Sequence, residues 1–180
     1  MGRLPYVTRN ELAEADRGVW DDFVKSRGSE PMHIHRTVAN APKLLRRFVA
    51  LADECRNGTA LDPKLRELAL MTVGRLTGAE YEFVHHWNIS LRAGVRREQL
   101  EQLADYAASP VFDANERAVM RYAEEATRNV RVSELTFDAL RDFLDNRRIM
   151  ELVMNVALYN AVARVIVPCA IELEAGAKKD

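Results

Sequence analysis

The stretch EYEFVHHW, residues 80 to 87, sets two carboxylates and two imidazoles among aromatic and apolar residues. On an α-helix, Glu82 and His86 lie four residues apart and share a face, so their side chains can touch. A carboxylate beside an imidazole favours the charged form of both, while burial against Phe83, Val84 and Trp87 favours the neutral forms. That competition is how a site acquires a proton donor or acceptor near neutral pH, although an ordinary surface pair has the same spacing. Glu67 adds a third titratable group. Its segment, LRELALMTVGRL, is apolar nearly all round until Arg75. A helix of that kind is normally buried, and a buried carboxylate must be paired, hydrogen-bonded or protonated. Glu67 therefore needs a partner from another element: a helix end, an arginine such as Arg164, or a catalytic group.

Metal chemistry has weaker support. Glu82 and His85 form a Glu-x-x-His, but a di-iron bundle needs a second such motif and two further glutamates. The other match, Glu30 to His33, contains Pro31, and His33 with His35 is an isolated pair. No metal is expected. There is no glycine-rich phosphate loop, no GxSxG and no HExxH.

The elements that must position these groups are helical. No stretch shows sustained alternation with β-branched enrichment, whereas helical spacing recurs throughout, so the chain is predicted to be all-α. Residues 10–27 read as a first amphipathic helix ending at Gly28, followed by a connector or short helix start over 28–35. Asn40 to Pro42 looks like a cap and first turn opening KLLRRFVALADECRN; Asp62 and Pro63 repeat that signal before LRELALMTVGRLTG. AEYEFVHHWNISLRAG and REQLEQLADYA follow, then three more helices beginning near Asp113, Thr136 and Arg147. RRFVALADECRN with LRELALMTV also echoes RYAEEATRN with IMELVMNV, which would suit a duplicated helical hairpin.

A chain of 180 residues fits one domain and can bury a core without disulfide or metal staples. Lys+Arg of 26 against Asp+Glu of 27 leaves a net charge of -1, which asks for neither nucleic acid nor an anionic membrane. Cys55 and Cys169 lie far apart and form no CxxC, and the N-terminus lacks the apolar run of a signal peptide; a reducing, cytoplasmic setting is expected. Residues 152–171 are long enough to cross a bilayer, but Asn155, Asn160, Arg164 and Pro168 would sit in hydrocarbon. A buried or oligomer-facing helix is the better reading.

RELALMTVGRLTGAEYEFVHHWNISLRAGV, residues 66–95, resembles the core motif of the carboxymuconolactone decarboxylase family, in the alkylhydroperoxidase D (AhpD)-like superfamily. The resemblance extends over roughly residues 38–167. It implies an all-α, AhpD-like helical fold of about seven to eight helices, with residues 1–37 as an N-terminal helical extension and residues 38–180 as the carboxymuconolactone decarboxylase-like domain, a single compact unit overall. It also implies a homo-oligomer (dimer, trimer or hexamer) acting on a small molecule, without a cofactor.

In the peroxidase branch of the superfamily, a glutamate and a histidine serve a CxxC pair. Carried onto this chain, Glu67 and His86 match those two residues, but the cysteine positions hold Ala79 and Glu82. Thiol peroxidation needs a thiolate, and a disulfide needs two sulfurs, so that mechanism is disfavoured. The decarboxylase branch implies a lyase on a small carboxylated lactone from aromatic compound catabolism, giving an enol-lactone. The catalytic candidates are then His86 as proton donor, Glu82 orienting it and Glu67 as buried partner. Tyr81 and His85 are substrate-binding candidates that would donate hydrogen bonds to the lactone oxygen. The alternatives are a residual peroxidase-like oxidoreductase and a non-catalytic helical oligomer that binds a ligand.

Overall fold

The computed structural model describes residues 2–179, and among these the secondary structure is entirely helical. Nine α-helices follow in order: α1 Arg17–Arg27, α2 His33–Val38, α3 Pro42–Asn57, α4 Pro63–Thr77, α5 Glu80–Arg92, α6 Arg97–Glu101, α7 Ala114–Asn129, α8 Glu134–Arg141 and α9 Asn146–Cys169. The all-α expectation holds, with one helix more than the upper end of the expected count because the connector after Gly28 forms α2.

The starts and stops follow local chemistry. Asp62 Oδ1 accepts from the backbone N–H groups of Lys64 and Leu65, and Pro63 occupies the first turn, where its missing N–H costs nothing. Gly78 closes α4 at φ 66°, a left-handed conformation that suits a residue without Cβ. Asp113 and Glu116 cap α7 reciprocally.

Three boundaries differ from the sequence expectation. The first helix begins at Arg17, not residue 10, because Glu11 captures both the backbone N–H and the hydroxyl of Thr8 and closes a separate 3-10 turn over Arg9–Glu11. The cap of α3 is Ala41, since the Asn40 amide donates instead to the carbonyls of Pro5 and Thr37. α8 starts two residues before Thr136, with the Ser133 hydroxyl accepting from the Thr136 N–H.

The chain's contacts group into two compact units. One comprises residues up to Gly58 together with Val165–Ala177 and packs around Val19, Ala39 and Leu45. The other comprises Thr59–Arg164 with the residues from Lys178 onward. In this second unit α4 lies against α5 and α7, and nine consecutive residues of α4, Arg66 to Gly74, are buried. Leu68, Met71 and Val73 meet Val119 and Met120 of α7 and Leu152 and Val156 of α9 in one core. A central helix apolar on every side has no solvent face, so a charge on it must be satisfied by its neighbours. By length and composition α9 could cross a membrane, yet it buries Leu152, Asn155 and Val156 in the protein core.

Candidate active site

Glu67 is fixed by α4, Glu82 and His86 by α5, and Tyr159 by α9, all within the second unit. Glu67 is 1% exposed, and its two carboxylate oxygens are used differently. Oε1 accepts from Nε and an Nη of the adjacent Arg66 at 3.2 and 3.1 Å, while Oε2 lies 2.7 Å from His86 Nδ1. Arg164, the arginine considered as a partner from the sequence, is engaged with Asn160. On the far side of the imidazole, Nε2 is 3.0 Å from the Tyr159 hydroxyl, and the two rings meet edge to face with centroids 5.0 Å apart.

The charge state follows from these contacts. Burial works against ionisation of Glu67, but the hydrogen bond and charge of His86, joined by the Arg66 guanidinium, outweigh it and hold the carboxyl below its usual range. An ionised carboxylate can only accept, so the proton on Nδ1 belongs to His86, and Nε2 faces the Tyr159 hydroxyl. Glu82 has the opposite fate. Burial, followed by the repulsion of the Glu67 charge, pushes it well above the usual carboxylate range. Its Oε2 is buried without a hydrogen-bond partner among the described residues. The site therefore holds two carboxyls whose environments drive their pKa values in opposite directions.

Glu67 and His86 are thus brought into contact, and the carboxylate on the imidazole is Glu67 rather than Glu82. The i to i+4 spacing allowed the second pairing, but the side chain reaching across from α4 makes the hydrogen bond. Tyr81 and His85 pack against each other one turn apart, with ring centroids 4.5 Å apart, one residue round α5 from Glu82 and His86. Arg66 and Tyr159 were not singled out from the sequence. The signal for Arg66 was an adjacent opposite charge in an otherwise apolar helix; for Tyr159 it was a hydroxyl in a long apolar run, where a buried phenol needs a partner.

Other candidate ligands are engaged elsewhere. His33 stacks on Tyr6 at 4.1 Å and its Nδ1 contacts the Glu172 carbonyl, while Glu30 accepts from the Trp20 indole N–H. Among the described residues, no group of three or more His, Cys, Asp or Glu is arranged to hold a metal ion. Cavities of about 400 and 180 Å³ belong to the first unit, beside Trp20 and Arg36 and beside Val19 and Phe23.

The fold is all-α among the described residues, and within it Glu67, His86 and Tyr159 form one continuous chain of contacts. Residues 42–125 match the carboxymuconolactone decarboxylase family model. Solved structures extend the likeness to nearly the whole chain. An uncharacterized peroxidase-related protein from Silicibacter sp. TM1040 superposes with a TM-score of 0.79 at 21% identity, covering 97% of this chain and 91% of that one. An alkylhydroperoxidase AhpD core protein from Ralstonia eutropha JMP134 gives 0.79 at 17% identity, covering 97% and 93%. A cysteine-to-alanine variant of the debrominase Bmp8 in complex with 2,3,4-tribromopyrrole gives 0.74 at 20% identity, covering 91% and 90%. At these identities the likeness establishes the AhpD-like fold. No curated protein matches the sequence.

Proposed function

We propose that the chain is a cofactor-free lyase of the carboxymuconolactone decarboxylase kind, acting on a small carboxylated lactone or a related aromatic-degradation intermediate by Glu/His proton transfer. The observation that carries this reading is the buried 2.7 Å contact between Glu67 and His86, which holds an imidazole in one orientation with Nε2 turned to the Tyr159 hydroxyl. When the carboxylate leaves as carbon dioxide, its bonding electrons spread into the conjugated lactone carbonyl, so the substrate supplies its own electron sink. The protein's task is to stabilise the developing enolate and protonate carbon. Glu82, neutral and buried on the same face of α5 as His86, suits donation to the enolate oxygen. A homo-oligomer is part of this proposal, supported by the exposed Met150, Met154, Ala157 and Ala161, which follow one another at intervals of four, three and four along α9.

Decarboxylation of 4-carboxymuconolactone by wild type and His86→Ala tests the reading, with the assembly mass measured on both. Wild type is expected to turn over. The variant is expected to keep its mass and lose roughly 10²–10⁴-fold in kcat, the usual contribution of a positioned acid–base group. An inactive wild type would overturn this substrate assignment and favour a ligand-binding helical protein. A peroxidase of the AhpD type is the weaker alternative, because Cys55 is buried in α3 and Cys169 closes α9, both unbridged and outside the Glu–His cluster.

A further inference from the structure

We infer that Tyr159 is the terminal member of the relay: its phenol, rather than the imidazole, faces the substrate and exchanges the proton. This rests on the proton-transfer reading above. Glu67 occupies Nδ1 of His86, which leaves Nε2 as the exchanging nitrogen, and Nε2 is already held by Tyr159 Oη at 3.0 Å. A substrate that approached Nε2 directly would have to displace that hydroxyl. Accessibility runs the same way, since Glu67 and His86 are 1% and 7% exposed whereas Tyr159 is only part-buried.

Carboxylate, imidazole and hydroxyl in this order form the arrangement that makes a hydroxyl give and take protons. Here the hydroxyl is a phenol, ordinarily near pKa 10, neutral at working pH yet far more acidic than an alcohol. Arg66 strengthens the order by occupying Oε1 of Glu67, so that Oε2 remains for His86. In the reaction, the bond from the lactone carbon to its carboxylate breaks and carbon dioxide leaves. The electron pair passes into the conjugated carbonyl, and the carbon then takes the proton of Tyr159 Oη. His86, as the imidazolium paired with Glu67, passes its Nε2 proton to the phenolate oxygen, and the neutral imidazole then takes up one solvent proton for each carbon dioxide released.

Two measurements test this. The first is kcat and KM for Tyr159→Phe, which removes the hydroxyl and keeps the ring against His86. A fall in kcat of about 10²-fold or more with little change in KM is expected for a lost acid; activity within about threefold of wild type would overturn the proposal. The second needs no turnover: the near-ultraviolet phenolate titration of Tyr159, taken as wild type minus Tyr159→Phe, and repeated in a His86→Ala background. The phenol's titration is expected to shift when the imidazole is removed, and an unchanged curve would overturn the relay. A wild type that is inactive on the lactone acid but shows the shift would sink the substrate reading alone, leaving the phenol–imidazole coupling as the chemistry of the site.

Discussion

Oε2 of Glu67 lies 2.7 Å from Nδ1 of His86, joining the most buried helix of the second unit to its neighbour through two titratable groups. Removing one partner of such a pair strands the other in a medium that cannot solvate it. Glu67→Ala leaves Arg66 without that carboxylate and is expected to destabilise by about 3–5 kcal/mol. Urea unfolding of the variant measures this, and a loss under about 1 kcal/mol would mean the cluster is better solvated than its burial implies.

The two carboxyls give stability opposite pH dependences. Glu67 has its folded pKa below the unfolded value, so its contribution is present above the ordinary value of 4.5 and is lost as pH falls through the folded pKa. Glu82 has its folded pKa well above 4.5, so between that value and its folded pKa the native state holds a proton the unfolded chain has released. Stability therefore declines as pH rises through that window. Glu82→Gln keeps the neutral shape and is expected to unfold at higher urea than wild type at pH 8, with the difference closing at pH 4. Chemical denaturation at the two pH values decides it.

Thiols are expected to be irrelevant to the chemistry. Cys55→Ala combined with Cys169→Ser should leave lactone decarboxylation within about twofold of wild type, since neither residue belongs to the Glu–His–Tyr chain. Thiol-dependent peroxide consumption should be absent before and after the substitutions. Peroxide turnover that disappeared in the double variant would revive the oxidoreductase alternative.

Backbone conformation supplies a stability test away from the site. Val130 ends α7 at φ 62°, where a β-branched residue is strained, and it is 85% exposed, so its side chain has little packing to lose. Val130→Gly is expected to stabilise by about 1 kcal/mol, and Gly78→Ala, at φ 66°, to destabilise by a similar amount. Thermal melts of the pair should move in opposite directions.

What the sequence determined was mostly what its neighbouring residues could settle among themselves. Asp62 with Pro63, Gly78 and Asp113 with Glu116 mark helix ends because capping is a local exchange of hydrogen bonds between residues two to four apart. The apolar run around Glu67 announced a buried helix and a carboxyl that would need a partner, for the same reason. The first helix was misread because periodicity extended past a turn that the Thr8 and Glu11 pair closes by itself.

Which partner Glu67 takes was a different kind of question. Spacing placed Glu82 and His86 on one helical face, but only the packing of α4 against α5 brings Glu67 to the imidazole and leaves Glu82 buried with its pKa raised. Tyr159 stands 73 residues from His86 in the chain and meets it across a helix interface. No local rule connects two side chains at that separation; the tertiary fold chose the phenol, because only the assembled core fixes which face of α9 turns toward α5.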